Sequence, residues 1–487
     1  MLRKSMFAII IKALGLAFAT LVFSLWGTEY ESEQSTFLNF ITLTAMGILL
    51  VVIALAKTKL PLEKNTIKFS LWLKLVALPV FSSLTFLLPL LGNNLYILCV
   101  AIALFGSLGM IPLVTAYTEE LSRLTAKNTV ITVGTALIIN HLLHILIQLV
   151  PYALALVIKF SLPLLASLCL FLQTKQASAT RSAMNAMNTN SANNVRTSTT
   201  AEEHLDLKPA YRHLGRFVGA TAAINLAISF MYVFYRAHGT IASSEVVLDT
   251  VTMLARVMLL LVVVVMFFLI KQFKVVNLYR ILVVLSIFAF LTFPLLGAES
   301  VIPYTLSAVA FTCLGILMWV FPARICALNK QLQPSLCIGV CYGPFVALWA
   351  ASYLIGRNIV IPYELTMSVL NTITFCGIAL VVIAYTFIFN EKNMIVATPA
   401  HEDMRKLGAR KMIDGAHVAS IASLYGLTAR EQEIMQLIFN NQSRAQIQNK
   451  LFISEGTLNS HTGNIYKKMG VHNRQELVAK IRQNAFS

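Results

Sequence analysis

A stretch near the C-terminus decides the fold of that end of the chain: residues 427–477 read LTAREQEIMQLIFNNQSRAQIQNKLFISEGTLNSHTGNIYKKMGVHNRQEL. Three positions in it carry a capping residue followed three residues later by Glu or Gln: Thr428 with Glu431, Ser443 with Gln446, and Asn473 with Glu476. The first two pairs are capping boxes, and the third is an N-cap with an acid in the first turn. Helices are therefore predicted to begin after Thr428, Ser443 and Asn473.

Apolar residues behind the first two caps recur at helical spacing. They are Ile434, Leu437 and Ile438 behind the first cap, and Ile447 and Leu451 behind the second. After the turn 452–454, a further helix is predicted over 455–469, closed by Gly470 in the left-handed conformation. Its buried side would carry Leu458, Ile465 and Met469. A helix, a three-residue turn and a second helix form the helix-turn-helix layout, which enters the major groove of DNA.

Residues 427–481 resemble the DNA-binding domain of LuxR-type bacterial transcription regulators. The residues at the spacing of that family are Leu427, Thr428, Arg430, Glu431, Ile447, Leu451, Ile453, Ser454, Thr457, His461, Ile465, Lys468, Gly470, Val471, Asn473 and Arg474. The resemblance implies a four-helix domain whose third helix reads double-stranded DNA. The base-reading positions of the family fall on Asn459, Ser460 and Gly463, and the positions near phosphates fall on Thr457, Lys467 and Lys468.

The chain departs from the family pattern on and before the reading helix. Gln448 stands where the family usually has a small residue, and Asn459 and Gly463 replace the long basic side chains that the family often carries. Asparagine can pair bidentately with adenine, whereas glycine reads no base and costs a helix about 1 kcal/mol relative to alanine. We therefore predict DNA binding and no particular base preference.

The rest of the chain has the composition of a polytopic membrane protein. Of 487 residues, 57% are hydrophobic and 12% are charged. Apolar segments of spanning length occur at about 7–26, 37–56, 71–91, 95–117, 129–150, 152–172, 214–235, 246–270, 278–297, 303–321, 335–355 and 363–389. The seven cysteines lie in or beside these segments without zinc-type clustering, so the sequence implies neither a disulfide framework nor a metal centre.

The positive-inside rule orients these segments. Lysine and arginine occupy the N-terminus and the loops that follow even-numbered segments, whereas the other loops hold mainly acids such as Glu29, Glu31 and Glu33. Both termini are therefore expected in the cytoplasm of a bacterium, with the protein in the cytoplasmic membrane. This places the helix-turn-helix in the compartment that contains DNA.

The predicted fold is all-α: a transmembrane bundle of six plus six helices, then a small four-helix domain. The predicted regions are 1–172, the first six spans; 173–212, a disordered cytoplasmic linker; 213–389, the second six; 390–424, a juxtamembrane linker; and 425–487, the helix-turn-helix domain. This layout is similar to that of major facilitator transporters, on topology alone. Residues 56–68, the loop after the second span, lack the Gly/Asp/Arg pattern usual in those transporters.

Polar residues inside the spans are expensive in lipid and indicate either function or interhelical hydrogen bonding. We identify Asn140, His141, His144 and Arg256 as candidates for a ligand pocket. His141 and His144 are three residues apart and would share a helix face. A metal site would need further ligands that the sequence does not place near them, so none is predicted.

The sequence favours a membrane-tethered transcription regulator whose bundle senses a small molecule or a membrane signal and whose C-terminal domain binds promoter DNA. The expected partners are DNA, membrane lipid, an unknown small-molecule ligand and a second copy of the chain on DNA. The alternative is a transporter of the major facilitator type with a fused regulatory DNA-binding domain. No phosphate-binding loop, nucleophile motif or metal signature is found, so neither an enzyme nor a cofactor is predicted.

Overall fold

The computed structural model describes residues 2–26, 33–59, 78–90, 96–189, 208–238, 245–270, 274–297, 300–329, 332–355, 366–390, 421–422, 424–439, 442, 444–451 and 453–484. In these ranges every regular element is helical. The chain divides into two compact units, Met1–Thr398 and Pro399–Ser487. Each unit has a hydrophobic core of its own.

The N-terminal unit is a bundle of twelve helical segments, counted over the described residues. They are α1 (Leu2–Trp26), α2 (Glu33–Lys59), α3 (Leu78–Leu84), α4 (Tyr96–Ser122), α5 (Ala126–Leu149), α6 (Tyr152–Thr189), α7 (Lys208–His238), α8 (Glu245–Leu269), α9 (Val275–Leu296), α10 (Val301–Leu328), α11 (Pro334–Ile355) and α12 (Met367–Ile383). A 3-10 helix, Thr85–Leu90, follows α3, and a π-helical turn, Ala384–Ile388, follows α12. The twelve segments fall in the order of the predicted spans, which confirms the all-α bundle.

Length and hydropathy identify the bundle as that of a membrane protein. In the described part of the chain, eight helices are long and apolar enough to cross a membrane, and Ile9–Leu25, Phe40–Ala56 and Pro79–Leu88 form shorter apolar helices. Many of their large apolar side chains are exposed, as expected for side chains that face lipid. The helix α10 is the most enclosed of the eight and lies at the centre of the core.

A close helix contact joins α2 in the first half of the bundle to α11 in the second. A Cβ atom added at Gly47 would lie 2.6 Å from the carbonyl oxygen of Gly343, and one added at Gly343 would lie 2.7 Å from that of Gly47. Gly339 and Gly343 are four residues apart on α11, the spacing at which small residues let two membrane helices touch. Gly47, Gly339 and Gly343 form a glycine seam, which brings one helix of each half into close backbone contact. Hydropathy alone does not predict it.

The structure corrects two of the predicted boundaries. The linker predicted over 173–212 is helical at both ends, because α6 continues to Thr189 and α7 begins at Lys208. Residues 174–189 contain neither glycine nor proline, so nothing in them stops a helix that leaves an apolar span. The span predicted over 71–91 is not one regular helix, because α3 tightens into the 3-10 helix that contains Pro89.

The C-terminal unit contains the predicted four helices. They are α13 (Ala429–Phe439), α14 (Arg444–Leu451), α15 (Glu455–Met469) and α16 (Arg474–Asn484). The eight apolar residues predicted to face the core are all buried: Ile434, Leu437, Ile438, Ile447, Leu451, Leu458, Ile465 and Met469. This agreement confirms the helical periodicity inferred from the sequence.

Side-chain caps start α13 and α16 as predicted. The backbone N–H of Glu431 donates to Thr428 Oγ1 at 3.3 Å, and the N–H of Thr428 donates to Glu431 Oε2 at 2.8 Å. The N–H of Glu476 donates to Asn473 Oδ1 at 2.9 Å. Ser443, the predicted cap of α14, lies outside the described residues.

Candidate DNA-binding and ligand-binding sites

The predicted recognition helix is α15, and its ends are fixed by local chemistry. Ser454 caps it, because its Oγ accepts a hydrogen bond from the N–H of Thr457 at 3.2 Å. The helix ends at Gly470, which has φ 61° and ψ 47° and donates its N–H to the carbonyl of Lys467. Left-handed backbone of this kind favours glycine, so the turn after the helix requires this residue.

The two sides of α15 have different tasks. Leu458, Thr462, Ile465 and Met469 face the core. The outward side carries exposed residues that include Asn459, Ser460, Gly463, Asn464 and Lys467. The predicted base-reading positions therefore share one continuous exposed face. Asn464 belongs to this face and was not singled out in the sequence.

Two residues predicted to lie near phosphates have contacts inside the domain. The hydroxyl of Thr457 is 2.8 Å from that of Ser454. Lys468 Nζ donates to Glu431 Oε2 at 2.7 Å and to the carbonyl of Gly426 at 3.1 Å, so it ties α15 to the start of α13. The Lys468 ammonium group neutralises an internal carboxylate, whereas Lys467 is exposed on the outward side of α15. That either lysine contacts a phosphate stays a prediction.

In the ion pair between Glu431 and Lys468, the acid is buried and the lysine is partly exposed. The Glu431 side chain is 4% exposed, and the Lys468 side chain is 36% exposed. The hydrogen bond from Lys468 lowers the pKa of Glu431 below its ordinary value, and the capping bond from Thr428 acts in the same direction. Glu431 therefore has the structural role predicted for it, as both cap and ion-pair partner.

Two arginines fix the other helices around α15. Arg430 donates from Nη2 to the carbonyl of Leu451, the last residue of α14, at 2.8 Å. Arg474 donates from Nη2 to the carbonyls of Ile438 and Gln442, at 3.3 and 2.9 Å. Helix ends leave carbonyl groups without helical partners, so both arginines satisfy groups that would otherwise need water. They hold the frame from which α15 projects.

A second candidate site lies inside the bundle, where residues of both halves enclose a cavity of about 460 Å³. Ligand pockets commonly have volumes of this order. The four residues predicted for a ligand pocket, Asn140, His141, His144 and Arg256, all line this one cavity. They come from α5 and α8, which pack side by side. Gln148 of α5 and Lys159 of α6 lie in the same wall.

Four buried polar atoms of this wall have no hydrogen-bond partner in the described structure. They are Nδ1 of His141, Nδ1 of His144, Oγ1 of Thr252 and Nε of Arg256. Buried polar groups are normally paired, so a cluster of unpaired ones is unusual and costly. The cluster is explained if a molecule that fills the cavity supplies the missing partners.

Asn140 differs from the two histidines. Its Nδ2 donates to Thr20 Oγ1 at 2.9 Å, and its Oδ1 accepts from Ser24 Oγ at 3.3 Å. Both partners lie on α1, so Asn140 joins α1 to α5 by interhelical hydrogen bonds. Of the two roles considered for these residues, the structure shows the bonding role for Asn140.

A second wall of the cavity is aromatic and comes mainly from α10 and α11. Its rings, which include Phe23 of α1, pack against one another: Phe23 and Trp319 on Tyr342, Tyr342 on Phe345, and Phe345 and Trp349 on Phe311, with centroids 5.1 to 6.1 Å apart. The sequence did not reveal this wall, because aromatic residues in a span have the pattern of any core or lipid-facing side chain. Gly315 of α10 leaves space in it, since no atom lies within 4 Å of a Cβ built there.

Within the described residues, no group of three or more His, Cys, Asp or Glu side chains could hold a metal ion. His141 and His144 share the cavity without a third side chain of that kind in its lining.

Comparison with known proteins identifies the C-terminal unit. Residues 425–481 match the model of the luxR family of bacterial regulatory proteins. The HTH-type transcriptional regulators MalT of Yersinia pestis (strain Pestoides F) and Serratia proteamaculans (strain 568) are each 33% identical over 73 residues. The alignments cover 15% of this chain and 8% of each relative. The likeness is thus confined to the DNA-binding domain.

The bundle is similar to transporters of known structure. A bacterial homologue of the iron transporter ferroportin, solved in the outward-facing state, aligns with a TM-score of 0.50 at 11% identity, over 80% of this chain and 98% of that one. The same homologue with soaked iron gives a TM-score of 0.52. At this identity the likeness concerns the fold alone. Residues 425–481 are accordingly a helix-turn-helix domain of the luxR family of bacterial regulatory proteins, in a membrane protein whose helical bundle has a fold similar to that of the ferroportin homologue.

Proposed function

We propose that the chain is a membrane-tethered transcription regulator. Its bundle senses a small molecule or a membrane condition, and residues 425–487 bind promoter DNA. The observation that carries the proposal is the union, in one chain, of a luxR-family domain with a membrane bundle that encloses a polar cavity. A signal molecule can bind in the cavity of the bundle, and the C-terminal domain can convert that binding into a change in promoter occupancy.

The exposed face of α15 supplies the proposed contacts with DNA. Asn459 and Ser460 lie in the first turns of the helix, which is the part of a recognition helix that meets base edges. Lys467, near its end, would reach a phosphate. Gly463 offers no side chain to read a base, so one domain has few specific contacts. Two copies of the chain are therefore expected to bind together, on half-sites about one helical turn apart.

The protein is expected in the cytoplasmic membrane of a bacterium, with both termini in the cytoplasm. The distribution of lysine and arginine among the loops supports this orientation. Only that orientation gives α15 access to the chromosome.

Crosslinking of the full chain to DNA in its host, followed by sequencing of the recovered fragments, tests the proposal. The expected result is a discrete set of promoter fragments with paired half-sites, which an Asn459→Ala variant fails to recover. A Gly215→Leu variant is a matched control, because this exposed position on α7 has no atom within 4 Å of an added Cβ. Equal and unselective recovery by the parent and the Asn459 variant would contradict the proposal.

The alternative, a transporter with a fused DNA-binding domain, is favoured by the likeness of the bundle to a transporter fold. Among the described residues that line the cavity, none is Asp or Glu, the usual groups of proton-coupled transport. Proteoliposomes distinguish the two functions. A transporter accumulates a labelled cavity ligand against a gradient, whereas a regulator binds the ligand and accumulates none.

A further inference from the structure

The two walls of the bundle cavity have different chemistry, and together they indicate which class of ligand would bind. The wall from α5, α6 and α8 carries Arg256, Lys159, His141 and His144. The wall from α10 and α11 carries rings, among them Trp319 and Tyr342. Charge is concentrated in the first wall and apolar surface in the second. A molecule that satisfies both must have a polar end and an apolar body.

The charge in the first wall is positive. Arginine is ionised at any ordinary pH, and Nε of Arg256 is buried without a hydrogen-bond partner in the described structure. The one side-chain contact of its guanidinium group that the structure records there is with the sulfur of Met253, at 3.9 Å from Nη1. No carboxylate lines the cavity among the described residues. The guanidinium group is part-buried, and an anion in the cavity would pair with its charge and supply a partner for Nε.

The neighbouring polar atoms can add hydrogen bonds to such an anion. His141 and His144 are three residues apart on the same face of α5, and they are 6% and 2% exposed. Each imidazole has at least one N–H to donate, and the hydroxyl of Thr252 can also donate. A carboxylate is planar and accepts a bidentate pair of bonds from arginine, with lone pairs remaining for further donors. A carboxylate therefore fits the several donors in this wall better than an anion with a single acceptor atom would.

The second wall selects the body of the ligand. Stacked and tilted rings present flat apolar surface, against which another ring packs in the arrangements that aromatic pairs prefer. The cavity volume of about 460 Å³ suits a small organic molecule. An aromatic cation would also stack on these rings, but Arg256 and Lys159 would repel its charge.

We propose that the cavity binds an aromatic carboxylate, with the carboxylate at Arg256 and the ring against the aromatic wall of α10 and α11. The inference rests on the proposed sensory role of the bundle, and it names the class of ligand. His141, His144 and Thr252 are the hydrogen-bonding groups beside Arg256, and Lys159 adds long-range attraction.

Three probes that share one ring system test the charge preference: 2-naphthoate, 2-naphthylmethanol and 2-naphthylmethylammonium. The full chain is placed in nanodiscs of zwitterionic lipid, and binding is followed by tryptophan quenching. We expect 2-naphthoate to bind at least about tenfold more tightly than the alcohol and the amine, because only the carboxylate pairs with Arg256. Octanoate, which has the charge without the ring, should bind more weakly than 2-naphthoate.

Two variants assign the binding to the cavity. Arg256→Gln should remove the preference for the carboxylate over the alcohol. Gly315→Leu should weaken all three probes, because its side chain enters space that is open in the structure, whereas Gly215→Leu on α7 should change none of them. Thermal unfolding of each variant in the same nanodiscs shows whether it is folded.

The proposal is overturned if 2-naphthoate does not bind at millimolar concentration, if the amine binds as tightly, or if folded Arg256→Gln keeps the preference for the carboxylate. Tighter binding of octanoate would replace the aromatic ligand by an aliphatic one and would also overturn it. Ligand binding is measured without DNA, so it is independent of the regulatory role. If the probes bind as expected but promoter occupancy never responds to them, the ligand class stands and the proposed sensing function fails.

Discussion

Some residues of the C-terminal domain pack α15 against the other helices, and others lie on its exposed side. Lys468 and Glu431 are 37 positions apart in the chain and meet across the interface of α13 and α15. Sequence spacing cannot reveal such a pair, because nothing local links two residues so far apart in the chain. Lys467, one position earlier, points away from the core because successive residues on a helix are about 100° apart.

The lowered pKa of Glu431 predicts a pH-dependent stability. Its folded pKa lies below the unfolded value of about 4.3, so the stabilisation is complete above that pH and is lost as the pH falls through the folded pKa. Thermal unfolding of residues 415–487 between pH 3 and pH 7 measures this loss, on the order of 1 kcal/mol or more. Glu431→Gln should flatten that part of the profile. Glu433→Gln is the control, because its side chain is 51% exposed and its pair with Arg430 contributes little.

Asn459 and Lys467 should affect DNA affinity in different ways. Asn459→Ala is expected to cost about 1 to 3 kcal/mol on the preferred site alone, because it would remove the proposed base contact. Lys467→Ala should weaken binding to every sequence and reduce the salt slope by about one. Titration of labelled specific and scrambled duplexes at several salt concentrations separates the two effects. An Asn459 variant weakened equally on both duplexes would contradict the assignment.

At the scale of helices, the sequence predicted what depends on local chemistry. The cap of Thr428 and Glu431, the left-handed Gly470 and the buried stripe of α15 are determined by residues within one or two turns. The cap and the turn follow from backbone groups that lack helical partners, and the stripe follows from the period of 3.6 residues. These features were predicted at the positions where the structure has them.

Long-range features of the helices could not be predicted in the same way. Hydropathy locates the apolar part of α6, but it does not show where a helix ends once it leaves the membrane. The polar candidates on α5 and α8 stood out because such residues are rare in spans. The aromatic wall beside them did not, since Trp319 and Tyr342 are ordinary residues for a span and only their shared cavity distinguishes them.

The glycine seam predicts that the contact between α2 and α11 contributes to the stability of the bundle. Gly343→Leu should lower the stability of the bundle by about 1 to 3 kcal/mol or more, because its Cβ would lie 2.7 Å from a backbone oxygen of α2. Gly315→Leu should be tolerated, since the space around it is open. Thermal unfolding of both variants in nanodiscs gives the comparison. Equal melting temperatures would show that α2 and α11 can separate at little cost.

At the scale of the bundle, two basic residues tie its halves together at one end. Arg324 of α10 is 1% exposed and donates from Nη1 to the carbonyl of Leu124, between α4 and α5, at 3.0 Å. Lys127 of α5 donates to the carbonyl of Phe268 in α8 at 3.2 Å. Both residues belong to the positive charges that predicted the cytoplasmic side. The same charges can therefore orient the bundle in the membrane and join its two halves.

That orientation gives the last prediction. Lysine and arginine gather in alternate loops, and such loops stay in the cytoplasm during membrane insertion. An enzyme reporter that is active only in the cytoplasm should therefore work when fused after Ser487 or inserted within 180–200. The same reporter should fail when it is inserted within residues 29–34, where a periplasmic reporter should work instead. A periplasmic signal from the fusion after Ser487 would separate α15 from the chromosome, and the regulatory function would then be impossible whatever the cavity binds.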